Sequence, residues 1–213
     1  MAVATSNAQY FVEGSLGLGF NTNKTDGDRL GESTETSFYF SPQIGFWMND
    51  KIAVGTRAYF NKKNIKNTYT GPETGLELEN EYKEFVWRIS AFSRYKFYRI
   101  EKISFLLDGS IYYEEERLKI EGTNSEWLPY DKLSRSNSQV GIRIFPAVSY
   151  DLNEKFSIIT NCNFLSMQLV SGNGKTEDSN GIIKGTGTRF VFDTRSTLLH
   201  SLTNVQIGFI YNF

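Results

Sequence analysis

The closing stretch Gln206-Ile207-Gly208-Phe209-Ile210-Tyr211-Asn212-Phe213 decides the fold class. In an extended strand, side chains alternate between two faces. Val205, Ile207, Phe209, Tyr211 and Phe213 therefore share one face, and Asn204, Gln206, Gly208, Ile210 and Asn212 share the other. One face is aromatic and apolar from end to end, which suits contact with lipid rather than water.

The same alternation recurs upstream. Tyr10, Val12, Leu16, Leu18 and Phe20 oppose Glu13, Ser15, Gly17 and Gly19. Phe38, Phe40, Ile44 and Phe46 oppose Ser37, Tyr39, Ser41 and Gln43, and after a tight turn at 48–51 Ile52, Val54, Thr56, Ala58 and Phe60 oppose Gly55, Arg57 and Tyr59. A polar connection, about 61–80, precedes a fourth strand with Phe85, Trp87, Ile89, Ala91, Tyr95 and Phe97 against Arg88, Ser90, Arg94 and Lys96. A turn at 99–102 leads to Ile103, Phe105, Leu107, Ile111 and Tyr113 against Ser104, Asp108, Ser110, Tyr112 and Glu114. A second polar stretch reaches about Arg135, and the sixth strand sets Val140, Ile142, Ile144, Val148 and Tyr150 against Gln139, Gly141, Arg143 and Ser149. A third short turn at 151–155 opens the seventh strand, Phe156, Ile158, Thr160, Cys162 and Phe164, whose alternation breaks near 165–169 and signals a bulge or a slip in face. A loop at about 171–187 precedes the eighth.

Eight strands, three short turns and four long connections alternate strictly. That is the pattern of a transmembrane up-and-down antiparallel β-barrel, with short periplasmic turns and long extracellular loops. A soluble barrel would put its apolar face inside. Composition agrees with the membrane form. There are 17 Phe, 12 Tyr and 3 Trp but only 4 Pro, and mean hydropathy is −0.38. No run approaches the roughly 18 consecutive apolar residues of a membrane helix. A net charge of −1 gives no basic field for nucleic acid, and the single Cys excludes an internal disulfide framework. Residues 1–8 read as the remnant of a cleaved secretory leader or an added segment, and 9–213 as one barrel domain.

On these residues the chain resembles the small eight-stranded outer-membrane proteins of the OmpA/OmpX type and, more loosely, the outer-membrane β-barrel families common in Bacteroidetes. The closing strand is similar to their C-terminal assembly signal, with Gln206, Gly208, Phe209, Tyr211 and Phe213 in the matching places. The resemblance covers essentially 9–213 and rests on architecture and this signature. It implies residence in the outer membrane of a Gram-negative bacterium. The barrel-insertion machinery would be its partner during biogenesis, and lipopolysaccharide would surround it.

Eight strands enclose a space only wide enough for side chains. The inward set holds Arg57, Arg88, Arg94 and Arg143 with Glu13, Asp108 and Glu114, besides Tyr39, Tyr59 and Tyr112. Charges so confined must pair, so a salt-bridged plug is expected. The alternative is a narrow porin-like channel or small-molecule transporter with anion preference.

Catalysis has little to stand on. Some barrels of this size modify lipid A, which needs a His base, a Ser and an acid together. His200 is the only histidine, with Asp193, Ser196 and Ser201 nearby, but His200 and Ser201 point to opposite faces of a strand. No cofactor or metal motif is present. The expected role is non-enzymatic: adhesion, envelope integrity, or service as an accessory subunit of another outer-membrane protein. Loops carry function on rigid scaffolds, and Trp127, Leu128, Pro129 and Tyr130 form the best candidate partner patch. In the second loop, Lys62, Lys63 and Lys66 precede Glu73, Glu77, Glu79 and Glu81. If the flanking strands continue as a hairpin, these opposite charges would pair across it.

Overall fold

A computed structural model describes residues 9–25, 31–70, 77–122, 132–162, 166–178, 181–193 and 205–213. Ten strand segments form one antiparallel sheet: β1 (Gln9–Thr25), β2 (Gly31–Trp47), β3 (Ile52–Thr70), β4 (Glu77–Ile100), β5 (Ile103–Gly122), β6 (Lys132–Asp151), β7 (Phe156–Cys162), β8 (Ser166–Asp178), β9 (Gly181–Asp193) and β10 (Val205–Asn212). The first six pair in chain order, and β10 pairs with both β1 and β7 to close a barrel of eight wall strands. The seventh wall strand is β7 with β8; the eighth is β9 with β10. Closure reaches the last residue, because the Phe213 amide donates to the Tyr10 carbonyl at 2.9 Å.

The expected irregularity in the seventh strand is present. Ala147 of β6 faces Asn161 and Ile144 faces Met167, so β7–β8 carries three more residues than β6 over the same stretch. A smaller slip lies in β4 beside Phe97, between Lys96 and Tyr98. Pro42, opposite Ala58, has no N–H for the ladder. The neighbouring Ser41 hydroxyl donates to the Ala58 carbonyl instead, at 3.2 Å. Two short turns use one device. Asn49 Oδ1 accepts from the amides of Lys51 and Ile52, and Asn153 Oδ1 from those of Lys155 and Phe156.

The register shows which face is which. Outward positions from Ile52 to Phe60 on β3, Tyr95 to Phe85 on β4, Ile103 to Tyr113 on β5 and Tyr150 to Val140 on β6 carry no charge. Most of their large side chains are exposed, including Ile89, Ile111, Ile142 and Phe60. Nine to eleven residues is the length a tilted strand needs to cross a bilayer core. A charge at the middle of such a band would cost about 2–4 kcal/mol. Aromatic pairs mark its lower edge, Tyr10 with Phe46, Phe97 with Phe105, and Phe156 with Tyr211.

Much of what reads as loop in the sequence is strand. β3 continues to Thr70 and β4 begins at Glu77, inside the stretch 61–80. Likewise β5 continues to Gly122, and β8 and β9 occupy most of 171–187. Both faces of a strand above a membrane meet water, so the period-two signal fades there.

Candidate functional site

Among the described residues the fully buried charged side chains lie in the lumen, which is built in layers. At its centre Arg94, on β4, and Asp108, directly opposite on β5, are both 0% exposed. Arg94 grips Asp108 with two bonds, Nε to Oδ1 at 2.8 Å and Nη2 to Oδ2 at 2.9 Å. Its Nη1 donates to Glu13 on β1 at 2.7 Å. Arg57, on β3, donates to the same Asp108 at 3.0 Å and to Gln43 on β2 at 2.5 Å. Two arginines and two acids from four strands are thus tied together. Charge-assisted, bidentate bonds of this kind fix geometry as well as energy. The Arg57 guanidinium also lies 5.1 Å from the Phe92 ring centroid and 5.4 Å from that of Phe145.

The next layer outward repeats the device. Arg88 donates to Glu114 at 2.7 Å, and Gln139 donates to the other oxygen of the same carboxylate. Tyr59 and Tyr112 flank the Arg88 guanidinium at 5.3 and 4.7 Å. Gln168 donates to the Tyr112 hydroxyl, and the Arg143 guanidinium lies 5.0 Å from the Phe145 centroid. All seven charged residues assigned to the lumen face inward. Six meet in two ion-pair clusters, and the Arg143 guanidinium lies over the Phe145 ring.

Below the central layer lies a feature the alternation does not announce. Phe11, Ala53, Leu106, Ala147, Ile159 and Ile210 are inward and buried, with Trp47 packed against them, and Phe92 joins them from one inward position above Arg94 on β4. They form an apolar floor toward the short-turn end. Most have polar or glycine neighbours on their own strand face, Ala147 beside Phe145 being the exception, so the pattern reads as noise along any one strand. The cluster exists only across strands. Room for its rings comes from glycines. Phe11 faces Gly45 and Phe92 faces Gly55 across the ladder, and a Cβ on Gly45 would lie 2.7 Å from Phe11 Cζ. Higher up, Tyr39 faces Gly17 and Tyr112 faces Gly141 in the same way.

Beneath the floor a vestibule of about 460 Å³ opens at the short-turn end, with the Lys96 ammonium 4.5 Å from the Trp47 ring centroid and Asp151 held by Arg99 and Ser157. Above the ionic layers a cup of about 650 Å³, lined by Glu116, Asn137, Gln139 and Arg189 among others, opens the other way. Near this upper rim Glu84 lies one residue beyond the apolar band. Partial burial, then the neighbouring Glu116, raises its carboxyl pKa above the ordinary glutamate value. A raised acid pKa means the folded state holds its proton more tightly than the unfolded chain. Its protonated form favours the fold, and that contribution is lost as pH rises through the folded-state pKa. Glu84→Gln should therefore raise the melting temperature in detergent slightly at pH 8, and the gain should vanish by about pH 4. A gain that persisted at acid pH would remove titration as its cause.

Among the described residues no cluster of His, Cys, Asp or Glu could hold a metal ion. Of the expected hairpin pairs Lys66–Glu79 forms, at 3.5 Å; Glu81 accepts from Asn64 at 3.0 Å, and Glu73 lies outside the described residues. Lys63 instead pairs inward with Glu35 at 2.9 Å. In the closing strand Phe209 and Phe213 are exposed on the outer face, and Tyr211 stacks edge-on with Phe213 at 4.8 Å. Gly208 lies inward against Ile159 and Ser15, and Gln206 is part of β10. Trp127, Leu128, Pro129 and Tyr130, as well as Ser196, His200 and Ser201, lie outside the described residues.

No protein-family model matches the sequence, and no curated protein matches it. Among solved structures the chain is similar to a major outer membrane protein from Thermus thermophilus, with a TM-score of 0.46, 11% identity, and 97% of this chain and 99% of that one covered. It is also similar to the outer membrane protease OmpT from Escherichia coli (TM-score 0.35, 10% identity, coverage 97% and 93%). A third likeness is to an outer membrane channel from Pseudomonas putida (TM-score 0.24, 8% identity, coverage 97% and 95%).

Proposed function

We propose that this chain is a non-enzymatic outer-membrane barrel of a Gram-negative bacterium, closed to through-flow, that works as a structural or binding protein through its outer wall and its strands beyond the membrane. One observation carries the reading: the fully buried Arg94–Asp108 pair, linked to Glu13 and Arg57, lies directly on an apolar floor. An ion crossing here would have to break a bidentate bond and then pass a dry layer of Phe11, Leu106 and Ile159. Interior charges committed in this way hold strands together and are not free to bind a passing solute. The charge-free outer band supports membrane residence, and adhesion, envelope integrity and service beside another outer-membrane protein all fit the closed lumen.

The refolded protein in planar bilayers should give no unitary current steps at either polarity, in potassium chloride or in larger-anion salts. Stable anion-selective steps would overturn the closed-lumen reading in favour of a narrow channel. The native mass of the particle released by mild detergent then separates an accessory subunit, with a stoichiometric partner, from an autonomous barrel.

A further inference from the structure

The outer wall changes chemistry sharply at the upper edge of the apolar band. Phe60, its last position on β3, faces Trp87 on β4 in register, one outward position below Phe85. Glu115, level with them on β5, is held by Trp87 Nε1 at 3.1 Å and the Tyr113 hydroxyl at 2.9 Å. Indole and phenol donors of this kind mark the interface between hydrocarbon and headgroups.

The next two levels are cationic. In the first, Phe85 lies between Lys62 and Arg117, its direct partners on β3 and β5. In the second, Lys83 faces Lys119. All four cations are exposed on the outward side. Acids border the cations on both sides: Glu115 lies 3.4 Å from Arg117 below, and Glu81 and Glu121 hold Lys83 from above at 2.7 and 3.2 Å. Among the described residues neither Lys62 nor Lys119 has a carboxylate within ion-pairing distance. Like charges placed directly opposite on neighbouring strands destabilise a sheet, and Lys83 with Lys119 is such a pair. Glu81 and Glu121 already meet Lys83, so an anion from outside the chain would be met by Lys119 and Lys62.

We propose that this face of β3–β5 binds the phosphates of a lipid A-type glycolipid in the outer leaflet. The order along the wall is apolar band, aromatic donors holding the single acid Glu115, cations, then further acids. A phosphorylated glycolipid presents acyl chains, then phosphates, in the same order. The exposed Phe85 ring supplies an apolar seat between two cations. These stand two strand spacings apart, about 10 Å, a span suited to a bisphosphorylated sugar rather than a single phosphate. The proposal rests on the outer-membrane reading above and specifies the lipid that the wall selects.

The test uses the full chain refolded in phosphatidylcholine nanodiscs, titrated with bisphosphorylated, monophosphorylated and dephosphorylated lipid A in the presence of EDTA. The variant carries Lys62→Gln, Lys83→Gln, Arg117→Gln and Lys119→Gln together. A control of equal charge change carries Lys51→Gln, Lys102→Gln, Lys155→Gln and Lys175→Gln. Heat-modifiable migration on gels confirms that each is folded. The native chain should bind the bisphosphorylated lipid at least about tenfold more tightly than the dephosphorylated one. The four-site variant should lose that preference and the control should keep it. Equal binding by the four-site variant would overturn the site. So would equal loss in the control, or equally tight binding of phosphatidylglycerol, since either would reduce the effect to general attraction of anions. If the four-site variant misfolds, Lys62→Gln with Arg117→Gln alone should still lower the preference. A chain that refolds in lipid yet ignores phosphates would refute this site and leave the barrel reading intact.

Discussion

Replacing Asp108 with leucine should cost about 3–5 kcal/mol of folding free energy, the usual cost of leaving a buried ion-pair partner uncompensated. The cost follows from what the carboxylate holds. Its two oxygens take three bonds from Arg94 and Arg57, and it is wholly removed from water. Without it, two guanidinium groups remain inside a closed wall, Arg94 still bound to Glu13. Urea titration of the barrel in phospholipid vesicles, followed by tryptophan fluorescence, measures the change. Adding Arg94→Met to Asp108→Leu should recover part of the loss, because the second substitution removes one of the stranded charges. A single-variant cost below about 1 kcal/mol, the scale of an exposed pair, would show that the network adds little to the fold.

Phe11→Ala should be comparably severe, at about 3–5 kcal/mol. The ring is 0% exposed, packs near Trp47 and Phe92 at centroid distances of 6.0 and 6.4 Å, and covers the bare backbone of Gly45. Removing it opens a cavity and uncovers that glycine in the same step. The pairing also predicts coupling. Gly45→Ala in the native chain pushes a methyl into Phe11, whereas in the Phe11→Ala background the same methyl enters vacated space. The second substitution should therefore be destabilising alone and neutral or favourable in the double variant. Strict additivity in the same urea titrations would break the link between ring and glycine. Bilayer currents from Phe11→Ala should stay absent, since the Arg94–Asp108 layer above it is intact.

The outer wall was legible because lipid imposes one rule on every outward position between the two edges. The aromatic faces of β4, β5 and β10 and the inward charges from Glu13 to Arg143 all follow from alternation. Partner choice inside the barrel was not legible. Glu13 and Arg94 are 81 positions apart and meet only because of the stagger of the closed sheet. Nor was the apolar floor, since Phe11 and Ile210 each look like single departures from a polar face. The strand extensions were hidden for the opposite reason. Beyond the band Lys62, Lys66, Glu79 and Glu81 are polar whichever way they point, and polar stretches rich in Gly and Asn read as loop.

Those extensions change what an outside partner would meet. β3 continues ten residues past Phe60, which at about 3.3 Å per residue is some 33 Å of strand. Recognition there would address a pleated lattice, with side chains repeating every second residue along a strand and set by register between strands. Such an epitope is conformational. An antibody or phage receptor protein raised against it should lose the boiled, unfolded chain entirely, while point changes at outward positions such as Thr34 or Lys66 would alter binding one lattice site at a time.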